Sequence, residues 1–506
     1  MKSIVGVLNR YLVYLIAFGF IALNLWFIAS KDVMLLGLFP LALIFILIAL
    51  LRLDTLLLTT VFFVPLSLPL SDYIEGLSVN LWLPTEVLLI GILLIVMIKR
   101  IKGETLNKKL LSHPISIAVY LNIVWLLVTS FTSTMPLVSF KFFLSRLWFL
   151  VAFYFLATEI FRRPQNMKRY LWAYIVSLLM VIGYTIFRHV NIGLFNQEAA
   201  HYVMNPFYND HTSYGAILAM LIIVVAGFVL DNSRSNWYRL FSFLVLGILV
   251  TAFILSYSRA AWISLIAAVV VLIIVLLRIR FHIIVIFSFV FFALIFNQLE
   301  ELTYQMGKNK QQSSANISEH MQSISNITND DSNLERLNRW SCAWRMFLEK
   351  PVFGWGPGTY MFQYAPFQVV REKTTISTNM ADRGNAHSEY LGPLSESGVF
   401  GMLSILAVVV ITLVTGFKTY WKLKERKHKI LLLSALLGLI TYYIHGLLNN
   451  FLDTDKASAP FWGFTAIIVA FDIYFIRPEE EKESIKTPLL RKIIKKGSRK
   501  KTSGNR

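Results

Sequence analysis

Three observations predict an all-α polytopic membrane protein. Apolar runs of 17–20 residues recur from end to end of the 506-residue chain, each long enough to cross a hydrocarbon core of about 30 Å. Hydrophobic residues make up 56% and charged residues 15%, where soluble domains average about 45–50% and about 25%. The runs are continuous rather than alternating, and of the two structures that satisfy every backbone group in lipid, helix and closed barrel, only the helix has that pattern.

Hydropathy yields about twelve to fourteen spans: 11–29, 33–51, 55–70, 81–98, 115–131, 140–160, 170–187, 213–230, 240–256, 258–277, 281–297, 399–416, 430–448 and 460–476. The third is short and interrupted by Pro65 and Pro69. Lys2 and Arg10 precede the first run without a small-residue cleavage site, so it reads as a retained helix.

The net charge of +19 gains meaning from its placement. Alternate connections, together with the ends, carry 33 of the 48 lysines and arginines. The opposing short connections carry only Lys31 and Lys456. The positive-inside rule therefore puts both termini in the cytoplasm. No nucleic-acid partner is implied. The expected organisation is an N-terminal membrane region (1–297), a large loop on the outer, periplasmic side containing short helices (298–398), a C-terminal membrane region (399–476) and a basic cytoplasmic tail (477–506). The tail reads as a topology anchor, a disordered end or a site for anionic headgroups.

The long loop has room for chemistry. Its first part, Gly307 to Asp331, is rich in Ser, Asn and Gln, and is expected to be mobile. Ser332 and Glu335 then have capping-box spacing, and Leu334, Leu337, Trp340, Trp344, Phe347 and Leu348 recur at helical intervals. This predicts an amphipathic helix on the membrane surface, with Arg336, Arg339 and Arg345 on its other side. Pro351 stops it, and Gly354, Gly356, Pro357 and Gly358 make a tight turn.

His387 stands where the chain re-enters the membrane. An imidazole there is either a general base near neutral pH or an interfacial, structural histidine. Arg259, in Ser256-Tyr257-Ser258-Arg259, lies at a turn between two spans, where it either snorkels to the interface or provides a fixed cation for a phosphate or diphosphate. His201, Asp210 and His211 crowd another outer connection, as do His445, Asn449 and Asp453. These are solvated loop residues or line the same pocket.

No GxxxxGK[ST] phosphate loop, HExxH motif or cysteine ligand set is present, and Cys342 is the single cysteine. Neither a metal nor a cofactor is expected.

The run from His387 through Ser388, Gly398 and Gly401 fits H-[NSQ]-x9-G-x-x-[GTY] in full. Arg336-x-x-x-Trp340 followed by the 351–358 turn, and Ser258-Arg259-x-x-Trp262, fit two further elements in order. Together these resemble the bacterial O-antigen ligases, which share a superfamily with O-antigen polymerases and protein O-oligosaccharyltransferases. The likeness covers roughly residues 200–460.

The resemblance implies a GT-C-like helical fold and a glycan donor carried on undecaprenyl diphosphate. The acceptor is lipid A-core or another glycan, and the surroundings are membrane lipid. It further implies metal-independent, inverting transfer with His387 as general base and Arg336 and Arg259 on the diphosphate. Trp340, Ser388, Tyr390, His211 and Asp453 are then candidate substrate contacts. Arg345 meets Leu348 one position short of the R-x-x-x-L pattern of ligases, which leaves polymerase and protein glycosylation as alternatives. A lipid-glycan transporter is the rival from another class. It predicts mid-span charges and internal repeats, whereas Arg146 is the clearest embedded charge and no repeat is evident.

Overall fold

The computed structural model describes residues 17–26, 29, 52–70, 81–104, 106–279, 331–374, 377–378 and 384–476. The expected spans 33–51 and 281–297, much of 11–29, nearly all of Gly307–Asp331 and the basic tail lie outside the described residues. The chain divides into two units, Met1–Leu57 and Leu58–Arg506. Within the first, helix α1 (Ala17–Trp26) is described.

Among the described residues, nine helices are long and apolar enough to cross a membrane: α4 (Pro114–Phe131), α5 (Pro136–Ile160), α6 (Pro164–Ile192), α7 (His211–Leu230), α8 (Asn236–Leu255), α9 (Arg259–Leu276), α11 (Leu391–Lys422), α12 (Arg426–His445) and α13 (Asp455–Ile476). Two shorter helices precede them, α2 (Leu53–Phe63) and α3 (Thr85–Ile101), and α10 (Asp331–Glu349) lies in the long loop. The chain is an all-α polytopic membrane protein.

The expected span 55–70 is corrected. Its helix ends at Phe63, and at 1.5 Å per residue eleven residues reach only about half the hydrocarbon thickness. Beyond the turn containing Pro65, β1 (Leu68–Pro69) pairs antiparallel with β2 (Trp82–Leu83). Proline cannot continue a helix there. Asp455 and Lys456, read as part of an outer connection, instead begin α13 inside the protein. The Asp455 carboxylate accepts from Ser67 Oγ (2.6 Å) and Thr85 Oγ1 (2.5 Å). Lys456 Nζ donates to the carbonyls of Val64 and Ser67 (both 3.1 Å) and lies 3.6 Å from Asp455 Oδ1, so the two buried charges pair.

Small residues let the helices approach. A Cβ on Gly215 of α7 would lie 2.7 Å from Ser258 Cβ, and one on Gly227 would lie 2.0 Å from Ser434 Oγ. This is how helices associate where lipid removes the hydrophobic driving force. The connections 132–135, 256–258 and 446–454 share one end of the bundle, where α10 and its turn pack. Thr134 N donates to Trp355 O (3.0 Å), and Arg336 Nε to Leu448 O (3.2 Å).

The glycine turn after α10 locks into a kink in α11. Gly398 has φ +69° and ψ −169° inside that helix. There Trp355 N donates to Ser395 O (3.1 Å), Gly356 N to Glu396 O (2.7 Å) and Val399 N to Pro351 O (3.0 Å). A Cβ on Gly398 would sit 2.0 Å from Val352 O, and one on Gly354 2.3 Å from the Glu396 carbonyl carbon. Gly398→Ala therefore combines a left-handed backbone penalty with a main-chain clash, and should destabilise by about 2 kcal/mol or more. Gly247→Ala in α8 meets no atom within 4 Å and should hold or raise the melting temperature, helix propensity favouring alanine by about 1 kcal/mol. Thermal unfolding of both detergent-solubilised variants checks the contrast.

Candidate active site

The site collects at the end of the bundle where α10 packs. Asp210 caps α7, its Oδ1 accepting from Thr212 N (2.7 Å) and Ser213 N (2.8 Å), which presents His211 at the first helical position. Tyr257 adopts φ +48° in the turn between α8 and α9, so Arg259 opens α9. Arg336 comes from the first turns of α10, donating through Nε to Leu448 O and through Nη1 to Asn333 Oδ1 (3.1 Å).

Arg259, Arg336, Asp210, His211 and His387 are each partly exposed; Arg336 and Asp210 act electrostatically on both His211 and His387, and Arg336 on Arg259, so the five form one partly open cluster, a recess centred on Arg336. His201 stacks on His211 with ring centroids 4.3 Å apart. Two guanidiniums and the N-terminus of α9, which has no side-chain cap, favour an anion there, whereas the α7 N-terminus is already taken by the Asp210 carboxylate.

His387 is held in a left-handed conformation, φ +49°. Its backbone is pinned on both sides: its N–H donates to Asn385 Oδ1 (3.0 Å), and its carbonyl accepts from Trp340 Nε1 (3.2 Å). Among the described residues none hydrogen-bonds its ring. The surrounding protein, and then the Arg336 and Arg339 charges, push the imidazole down to about 4, so at neutral pH it is the free base.

The three arginines of α10 have separate fates. Arg339 is buried, bonded to Glu335 Oε1 (2.6 Å) and stacked 3.8 Å from the Tyr364 ring centroid. Gly384 makes space for it, since a Cβ there would lie 1.8 Å from its Nη1. Arg345 binds Phe367 O (2.6 Å) and Glu372. Only Arg336 of the three belongs to the recess. Glu335, expected to complete a capping box, is instead committed to Arg339, Asn338, Thr374 and Ser377. The α10 surface is divided as its periodicity predicts: Cys342, Ala343 and Met346 pack on Tyr360, Tyr364 and Ala386, leaving Trp344 and Leu348 exposed.

Not every sequence candidate lines the recess. Ser388 is buried, and its Oγ accepts from Tyr390 N (3.2 Å) and Leu391 N (3.3 Å), capping α11. Tyr390 donates its hydroxyl to Tyr443 O (2.9 Å). Asp453 is exposed, within electrostatic range of Glu389 and Arg146. His445 is buried beside Asn449, its Nε2 3.2 Å from Asn449 Nδ2. Glu389 was not singled out from the sequence, yet its carboxylate accepts three hydrogen bonds. Its position two residues from His387 was the available signal.

Residues 244–406, about a third of the chain, match the family model described as O-antigen ligase. That segment is similar to an O-antigen ligase domain. No curated protein matches the chain. The matched segment contains Arg259, Arg336, His387 and the Gly398 kink, whereas Asp210, His211 and the 446–454 turn lie outside it.

Glu335→Ala would leave Arg339 buried without its carboxylate, a change that typically costs about 3–5 kcal/mol. Arg345→Ala removes a half-exposed pair worth about 1 kcal/mol at most. The first substitution should sharply accelerate limited proteolysis of residues 360–390 and the second should barely alter it.

Proposed function

We propose that this protein is an O-antigen ligase, transferring a preassembled glycan from undecaprenyl diphosphate to lipid A-core on the periplasmic face. The observation that carries the reading is the convergence of Arg259, Arg336 and His387 on one recess, all within the matched segment. The basic connections 161–163, 231–235 and 423–425 fall at the opposite end of the bundle, so the positive-inside rule supports a periplasmic recess.

The chemistry follows from the residues. Neutral His387 takes the proton from the acceptor hydroxyl as its oxygen attacks the anomeric carbon. The bond from that carbon to the diphosphate oxygen breaks, and the configuration inverts. Arg259 and Arg336, with the N-terminus of α9, hold the diphosphate and stabilise the charge that grows on it. Such electrostatic contacts typically contribute about 3–4 kcal/mol each to the barrier. They serve where a divalent cation otherwise would, so the proposed reaction has no metal step. Trp340 fixes the His387 backbone, while His211 borders the diphosphate.

His387→Ala, at normal membrane abundance, should reduce transfer by about 10²–10⁴-fold. Full-length polymer should accumulate on undecaprenyl diphosphate in cells carrying only that variant. Accumulation of single repeats would identify a polymerase instead, loss of glycan from proteins an oligosaccharyltransferase, and unchanged envelope glycans would remove the catalytic assignment.

The pH dependence has a definite sign. Because the His387 pKa is lowered in the free protein, kcat/KM should stay level as pH falls through 6.5 and decline only on approach to about 4. A bound diphosphate adds negative charge and raises that pKa, so the acid limb of kcat should lie at higher pH than that of kcat/KM. Initial rates between pH 4 and 8 test both limbs, and a kcat/KM limb at or above 6.5 contradicts the assignment.

A further inference from the structure

His387 and Arg336 stand on separate segments, and transfer requires them at a set distance. One bond between the segments is already described, Trp340 Nε1 to His387 O. By itself it acts as a hinge, since a single hydrogen bond leaves rotation about it open. A second connection runs through Glu389. This residue is buried, and its Oε1 accepts from Phe451 N (2.7 Å), Leu452 N (2.8 Å) and Tyr442 Oη (2.6 Å). Its own N–H donates to Gly446 O (2.7 Å). Glu389 thus holds both ends of the 446–452 turn, and Leu448, in the middle of that turn, offers the carbonyl that receives Arg336 Nε at 3.2 Å.

The contacts close into a ring. It runs from Arg336 along one turn of α10 to Trp340, across to His387, two residues on to Glu389, through the 446–452 turn to Leu448 and back to Arg336. Arg146 braces the far side, its Nη1 donating to Leu452 O (3.0 Å). We propose that Glu389 is a positioning residue that sets the separation of His387 and Arg336 by closing this ring. The inference rests on the roles given to those two residues above, and adds the element that makes their geometry rigid. Without the carboxylate, the Leu452 N–H loses its acceptor and the Phe451 N–H keeps only the Tyr442 hydroxyl (3.2 Å), the turn must repack, and Leu448 O leaves Arg336. A misplacement of about 1 Å can cost about 100-fold in rate.

The test compares the full-length protein in membranes as Glu389→Asp, Glu389→Gln and Glu389→Ala, alongside Arg336→Ala and His387→Ala. Farnesyl diphosphate serves as the probe of the anion site. Aspartate keeps the charge but withdraws the oxygen by one carbon–carbon bond, about 1.5 Å, whereas glutamine keeps a carbonyl oxygen in place for both N–H groups. Glu389→Asp should lower kcat about 100-fold and weaken farnesyl diphosphate binding about tenfold through the loosened Arg336. Glu389→Gln should stay within about fivefold of the parent on both measures, an effect smaller than the loss of one charge-assisted bond.

Unchanged kcat and affinity in Glu389→Asp, with Arg336→Ala and His387→Ala inactive, would overturn the positioning role alone. Losses in all three Glu389 variants that track melting temperature, with no change in farnesyl diphosphate affinity, would assign Glu389 to stability and likewise overturn it. Normal transfer by Arg336→Ala and His387→Ala would instead refute the site assignment, and this inference with it.

Discussion

Residues 351–358 meet the kink of α11 backbone to backbone, because Gly354 and Gly398 leave no volume for a side chain on either surface, and the Glu396 carboxylate adds an acceptor for Gly358. The loop segment carrying Arg336 and Trp340 is thereby seated on the helix whose first turn follows His387. Neither partner is stable in this geometry alone. The turn has three glycines at positive φ, and the helix has an interrupted ladder at Gly398. Each supplies the hydrogen bonds the other lacks, which satisfies backbone groups where membrane water access ends.

Given that seating, the recess becomes an electrostatic construction. Arginines and histidines of the same potential sign gather from α7, α9, α10 and the His387 segment, an arrangement that folding alone disfavours. The fold manages it by dividing the charges. Arg339 and Arg345 pair with Glu335 and Glu372, while Arg336 donates to the neutral Leu448 carbonyl and Asn333 amide and interacts electrostatically with Asp210. His387 is kept neutral first by burial and then by the Arg336 field, which also attracts an anion.

Most of the helices were legible in the sequence because lipid imposes a length and composition filter. Nine of the expected runs between 115 and 476 coincide with helices of the structure, usually extended by a few residues. The exception near 55–70 fails on length and proline, both visible beforehand. The catalytic candidates were legible through short motifs, but their neighbours were not sorted. Ser388 and Tyr390 sit inside the same motif as His387, yet spend their polar groups on capping and on a helix–helix contact. Motif membership records that a residue type is required and says nothing about whether its role is chemical or structural.

The sequence by itself determined the membrane class, the helix-forming segments and the chemical types available to a site, because apolar run length and residue chemistry are local properties. Only the tertiary structure decided which arginine of α10 faces the recess, that Asp455 and Lys456 are buried, and that Glu389 ties residues 387–389 to the 446–452 turn. Those outcomes depend on which acceptors approach from segments up to 392 positions away, and pairings at that range leave no periodicity for a single sequence to show.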